Sequence, residues 1–283
     1  MLPSITAKWR IRKYSGGGAS SLLEDDIATE YPLTIRLDGE EFATIVCSPT
    51  DLEEMTAGFL ASEGIIRQAA EIESLRVDEE RGFVYVELHN KQSTSKEDVS
   101  KRFIGSCCGK SRQFYFHNDA RTARTSMSRM TITPAQCIAL MRLLQNSSGE
   151  FKLTGGVHNA ALCSADELLA VRTDIGRHNA LDKLFGYALR QRLSVTDKII
   201  AFSGRLSSEV VLKAAKIGVG ILLSKSAPTD LALKLAEDLG ITCVGFIRGS
   251  EMNVYTHGHR IVDEPVSSLA ACDHQEEQQS EER

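Results

Sequence analysis

The sequence predicts an α/β protein in two parts, a small N-terminal α+β domain and a larger main domain with a largely parallel sheet. Three observations carry that expectation. Strand and helix patterns alternate as β-α-β-α-β over residues 198–248, and parallel strands need helical crossovers. An Asp38-Gly39 turn between two alternating runs marks an early hairpin. The 283-residue length, with 42% hydrophobic and 25% charged residues, supplies core for about two domains of roughly 100–200 residues each.

Residues 1–20 read as a flexible leader, because Ser15-Gly16-Gly17-Gly18 stands where a signal peptide would place its apolar stretch. Over residues 21–100 a small α+β domain is expected. Leu33, Ile35 and Leu37 alternate with polar residues, as a half-buried strand requires. Ser48-Pro49-Thr50 caps a helix whose apolar face runs through Leu52, Met55, Phe59 and Leu60, with Gly64 at its end. A second hairpin joins residues 75–77 to 83–88.

Residues 89–101 are almost purely polar and bury too little to offset the entropy of ordering them. They lead into a mobile cysteine loop and linker at 101–132. The main domain spans 133–265. Thr133 caps a helix over 133–145 with Pro134 at its first position. Strands follow at 160–163 and 168–172. Asp174 then caps a helix striped by Leu181, Leu184, Phe185, Ala188 and Leu189. Three strands (199–202, 220–223, 241–246) alternate with helices at 206–217 and 228–239. The Gln/Glu-rich tail, 266–283, reads as disordered.

A net charge of −5 leaves no basic excess to meet phosphate backbones, which argues against a nucleic-acid or membrane-surface binder. No segment reaches the ~20 apolar residues of a membrane helix. Seven cysteines, odd in number and irregular in spacing, do not form the framework of a disulfide-stapled secreted domain. The chain reads as cytoplasmic, with free thiols.

Two thiols stand apart. Cys107 and Cys108 lie on the polar loop between glycines, with Arg102, Lys110 and Arg112 near in sequence. Neighbouring cations favour the thiolate, the reactive form. The plainer reading is a pair of incidental loop thiols or half of a metal site, but no Cys-x-x-Cys occurs. Cys137, Cys163 and Cys243 sit in apolar elements, where cysteine is commonly a small buried hydrophobe.

Three segments follow strands of the β-α-β-α-β run: one at Gly204 and Arg205, one at Lys225, and one comprising Phe246, Ile247, Arg248, Gly249, Ser250 and Glu251. Ligands of open parallel sheets gather at the carboxyl ends of strands, where helix N-termini favour phosphates. Two Gly/His/Asn runs, around His158 and around His178, either line the same pocket or satisfy local backbone groups. There is neither a P-loop nor a Gly-x-Gly-x-x-Gly, which disfavours a mononucleotide kinase or dinucleotide dehydrogenase.

Five motifs occur in order: Gly105-Ser106-Cys107-Cys108-Gly109-Lys110, Thr154-Gly155-Gly156-Val157-His158, Asp174-Ile175-Gly176-Arg177-His178-Asn179-Ala180, Ser203-Gly204-Arg205 and Gly245-Phe246-Ile247-Arg248-Gly249. Together they resemble the formate dehydrogenase accessory sulfurtransferase family, FdhD/NarQ, over residues 31–261. The resemblance implies a cytidine-deaminase-like main domain without the deaminase zinc, since His158 is not followed by the acid of a His-x-Glu pair. It implies a sulfurtransferase that takes sulfur from a cysteine desulfurase as a persulfide on Cys107 or Cys108. The sulfur would pass to the molybdenum bis-(molybdopterin guanine dinucleotide) cofactor before that cofactor enters formate dehydrogenase.

The chain departs from the family pattern twice. Many members space the two cysteines by two residues, whereas here they are adjacent. Ser250-Glu251 also replaces an expected Gly-Arg ending. The contracted pair keeps open an alternative, a cofactor-binding chaperone that moves no sulfur through its own thiols. The apolar stripe over residues 181–189 offers a face for a homodimer.

Overall fold

A computed structural model describes residues 2–90, 102–104, 123, 125–147 and 149–263. The chain opens with an antiparallel ribbon, β1 (Thr6–Tyr14) paired along its length with β2 (Ser20–Ala28). This replaces the leader expected over residues 1–20. Lys8, Arg10 and Arg12 alternate with Trp9 and Ile11, the two-residue period of a strand. Asp26 and Glu24 stand opposite Lys8 and Arg10, and Lys8 Nζ reaches Asp26 at 2.7 Å.

The first sheet runs, in lateral order, β5 (Ile72–Asp78), β6 (Phe83–Leu88), β3 (Tyr31–Leu37), β4 (Glu40–Cys47) and β7 (Arg102–Ile104). Asp38 and Gly39 both take positive φ, 49° and 87°, the geometry of a tight two-residue hairpin turn. Leu33, Ile35, Ile45, Val84 and Val86 pack with Leu52, Met55, Phe59 and Leu60 of α1 (Leu52–Ser62). Asp51, at φ 52°, occupies the cap position of α1 in place of the expected Ser48–Thr50 cap. The Ser48 hydroxyl instead accepts from the Ile175 N–H at 3.0 Å.

After α2 (Pro134–Asn146) and the short α3 (Gly149–Thr154) comes the second sheet. The capping box of α2 forms as its sequence dictates, with Thr133 and Gln136 each accepting from the other's backbone N–H. The strands are β8 (His158–Cys163), β9 (Leu168–Asp174), β10 (Ile199–Phe202), β11 (Ile221–Ser224), β12 (Thr242–Arg248) and β13 (Glu251–Val254). Their lateral order is β13-β12-β11-β10-β8-β9. Only β10–β11 and β11–β12 pair in parallel, so the sheet is mixed rather than largely parallel. The β8–β9 and β12–β13 links are short turns that need no crossover, and such strands fold back antiparallel.

Helices α4 (Arg177–Arg190), α5 (Ser208–Ile217) and α6 (Asp230–Asp238) cover one face of this sheet. Helix α2 covers the other, through Cys137, Leu140, Met141 and Leu144. Both α5 and α6 start two residues later than the sequence suggests. The chain ahead of each stays extended because Leu206 and Pro228 form a parallel bridge, with Leu206 N–H donating to Ala227 O at 3.1 Å.

The two halves meet where α1 crosses α4. A Cβ on Gly58 would stand 1.8 Å from Asp182 O, and one on Gly186 would stand 1.9 Å from Glu54 O. Reciprocal glycines therefore let the two backbones touch. The stripe expected to pair two copies is used within the chain. Leu181 and Leu184 pack into the second-sheet core, and Phe185 and Leu189 lie against the core of the first sheet. No helix among the described residues is long and apolar enough to cross a membrane.

Candidate functional site

Strand direction brings the candidate residues to one edge. The parallel strands β10, β11 and β12 end there, placing Ser203–Arg205, Ser224–Ser226 and Arg248 side by side. Strand β8 runs the opposite way beside β10, with Ala160 level with Phe202, so its first residue, His158, arrives at the same edge. Asp174, the last residue of β9, pairs in register with His158. Residues far apart in sequence thus converge, as the carboxyl-edge expectation requires.

Hydrogen bonds lock the strand tips together. Ser224 Oγ donates to Gly204 O at 2.7 Å, Ser226 Oγ to Ser203 O at 3.3 Å, and Asn159 N–H to Ser203 Oγ at 2.9 Å. Arg205, Lys225 and Arg248 are exposed at this edge. Arg248 Nε donates to Lys225 O at 3.2 Å, and its guanidinium lies 5.3 Å from the centroid of the Phe246 ring. Helices α5 and α6 begin just beyond, presenting backbone N–H groups and positive dipole ends. Cations and helix starts together suit an anionic ligand.

The segment 246–251 differs from its expected loop form. Phe246, Ile247 and Arg248 still belong to β12, Gly249 and Ser250 make the turn, and Glu251 opens β13. The register slips between Gly245 and Arg248, and Phe246 adopts φ 52°, unusual for a bulky residue. This bulge leaves the Phe246 ring 37% exposed and turns Ile247 inward, 2% exposed, into the core with Ile132 and Val244. Ile247 therefore offers a ligand its backbone only. Gly249, Ser250 and Glu251 are exposed.

His158 lies half-buried beside Gly204, where a Cβ would stand 3.4 Å from its Nδ1. Burial and then the Arg177 guanidinium hold its imidazole below the usual histidine range, against an opposing pull from Asp174. His178 Nε2 meets Glu209 Oε2 at 2.8 Å, tying the first turn of α4 to that of α5.

Asp174 is not the helix cap that the sequence suggests. Gly176 holds the cap position of α4. The buried Asp174 carboxylate accepts from Ser48 N–H at 2.9 Å, Gly176 N–H at 2.8 Å and Asn179 Nδ2 at 2.9 Å, and pairs with Lys183 Nζ at 2.8 Å. Lys183, fully buried, also donates to Ser48 O, Thr50 Oγ1 and Thr173 O. Asn179 donates to Val46 O at 2.9 Å. The run from Asp174 to Ala180 thus supplies a latch to the first sheet as well as two side chains near the edge. Sequence reasoning missed Lys183, although a lone lysine inside the apolar run 180–189 was a usable signal.

Cys107, Cys108 and Cys272 lie outside the described residues. The remaining thiols, Cys47, Cys137, Cys163 and Cys243, are buried, and burial pushes each up to about 12. None of these four is a thiolate near neutral pH. Among the described residues, no group of three or more His, Cys, Asp or Glu side chains gathers as metal ligands.

A family model described as the FdhD/NarQ family matches residues 28–262. The chain is 60% identical over 239 residues to the sulfur carrier protein FdhD of Geobacillus kaustophilus, covering 84% of this chain and 91% of that one. It is 55% identical to the protein of the same name from Bacillus subtilis, covering 92% of this chain and 99% of that one. A solved structure from Desulfotalea psychrophila, described as a candidate formate dehydrogenase accessory protein, superposes with a TM-score of 0.75 at 27% identity. That match covers 92% of this chain and 100% of that one.

Proposed function

This chain belongs to the FdhD/NarQ family, and from that membership we propose that it is a sulfur carrier serving formate dehydrogenase. One observation carries the reading: relatives named sulfur carrier protein are 55–60% identical to this chain over most of both lengths. The main domain is read as cytidine-deaminase-like and the protein as cytoplasmic.

The donor in this reading is a cysteine desulfurase carrying a persulfide, and the acceptor is the molybdenum bis-(molybdopterin guanine dinucleotide) cofactor, bound as cargo. A thiolate of Cys107 or Cys108 attacks the outer sulfur of the desulfurase persulfide. A new S–S bond forms, the old one breaks, and the desulfurase thiolate leaves. The four buried thiols support this assignment by contrast, since their raised values deny them thiolate character. The last described residue before Cys107 is Ile104, paired beside Ile45 on β4, and β4 runs on to Ser48 at the latch.

The cofactor's guanine dinucleotide phosphates suit the edge bearing Arg205, Lys225 and Arg248, with Phe246 beside Arg248 as an exposed aromatic face. Glu251 at the turn lowers the positive charge available there.

The test is to incubate the protein with a desulfurase and sulfur-labelled cysteine, then map the label by peptide mass spectrometry. Labile label on Cys107 or Cys108 is expected. Cofactor binding with no label on either thiol would replace this reading with the chaperone one.

A further inference from the structure

Strands β1 and β2 pair with each other and, among the described residues, with no other strand. Two strands alone are marginal in water, so a ribbon of this length needs something to lie against. Strand β2 has part of that support. It lies along α3, and its last residue, Ala28, meets Gly156, where a Cβ would stand 3.2 Å from the Ala28 methyl. Strand β1 keeps a free edge.

The charges of the ribbon are sorted by strand. β1 carries Lys8, Arg10, Arg12 and Lys13 and no acid, whereas β2 carries Glu24, Asp25 and Asp26 and no base. Thr29 N–H donates to Ile5 O and Ser15 N–H to Ala19 O, each at 3.0 Å, so the odd-numbered residues of β1 turn their backbone groups towards β2. The N–H and C=O groups of Lys8, Arg10 and Arg12 therefore point outward along the free edge. Their side chains share one face of the ribbon. The other face carries the apolar side chains of Trp9, Ile11, Leu23 and Ile27, with Trp9 63% exposed. Lys8 is held by Asp26, while Arg10 and Arg12 stand exposed beside the edge.

We propose that the free edge of β1 docks an extended segment of a partner protein in which carboxylates alternate with apolar side chains. The segment adds as a third strand. Its main chain takes the outward N–H and C=O groups, its carboxylates stand beside Arg10 and Arg12, and its apolar side chains stand beside Trp9 and Ile11. A second copy of this chain does not fit the same edge. β1 against β1 would set four cations against four, and like charges side by side repel. The acidic β2 already lies along α3 in its own chain. The docking surface stands independently of the sulfur-carrier reading.

Trp9 is the single tryptophan of the chain, so its fluorescence reads the ribbon directly. The full chain is titrated with a synthetic peptide of alternating glutamate and valine, as long as β1. Trp9 emission should move to the blue and saturate. The matching lysine–valine peptide should not bind. Nor should the glutamate–valine peptide with its amides N-methylated, which keeps the charge and loses the main-chain donors. Arg10→Gln and Arg12→Gln should each weaken binding by roughly two- to fivefold and the double variant by about tenfold, and added salt should act in the same direction. Lys234→Gln, an equal charge change on α6, should leave binding within about twofold.

No saturable shift with the glutamate–valine peptide would overturn the proposal. So would equal binding of the lysine–valine or N-methylated peptide, or unchanged binding by the double variant. If Trp9 responds to protein concentration and not to peptide, the face belongs to a second copy. If it responds to phosphatidylserine vesicles and not to peptide, the face belongs to lipid. Either result replaces the proposal. The peptide comparisons use the unmodified protein, so they decide even where a variant fails to fold.

Discussion

Asp174 and Lys183 meet at 2.8 Å with no solvent exposure, whereas Arg205, Lys225 and Arg248 stand exposed at the strand tips of the same sheet. The residue types are similar and the consequences opposite. At the joint every charge has a protein partner: four donors surround the Asp174 carboxylate, and four acceptors surround the Lys183 ammonium. Such a network fixes how the first sheet sits on the second and leaves nothing for a ligand. At the edge the cations carry few commitments to the protein, so they remain available to bind. Burial, more than residue type, separates scaffold from site.

Breaking the joint should have the largest effect. Lys183→Met leaves the Asp174 carboxylate buried without its cation and should cost about 3–5 kcal/mol, read from urea unfolding. A loss below about 1 kcal/mol would show that the two halves do not depend on this pair. Next comes Gly186→Ala, whose methyl would meet Glu54 O at 1.9 Å. The helices must separate, and the midpoint in urea should fall by the equivalent of about 1–3 kcal/mol.

His158 lies between the two regions and should report on both. Its folded-state pKa is lowered, so the unfolded chain binds more protons. Stability should therefore be full above the ordinary histidine value, about 6.5, and decline as pH falls through it. His158→Gln should flatten that acid-side decline, and an NMR titration should find the His158 midpoint below the ordinary value.

The smallest stability change belongs to the edge. Arg248→Ala should leave stability within about 0.5 kcal/mol of the parent. It should nonetheless weaken guanine-nucleotide binding by roughly tenfold, measured by calorimetry. A large stability loss there, or unchanged binding, would erase the contrast between the two regions.

Local signals in the sequence were legible wherever one stretch of chain decides its own shape. The Asp38-Gly39 hairpin, the Thr133–Gln136 capping box and the β-α-β-α-β run all form as their residues dictate. The gathering of Gly204, Arg205, Lys225 and Arg248 at one edge was legible too, because parallel strands end on the same side. The ribbon of β1 and β2 was not. Its apolar alternation is short, and the acidic residues that answer its basic ones lie on the other strand.

Residue chemistry and spacing alone therefore determined the α/β class, the order of elements from β8 to β12 and the motifs that carry the family resemblance. The tertiary structure decided which charged residues are committed and which remain available. Asp174 and Lys183 are nine residues apart, and although the apolar run around Lys183 hints at burial, nothing local pairs it with Asp174. Their role exists only because Ser48 and Thr50 arrive from beyond the end of β4 to complete their hydrogen bonds. The inward turn of Ile247 likewise depends on a bulge in β12 that its own sequence does not announce. Burial and partner geometry arise from contacts distant in sequence, and only the folded chain supplies them.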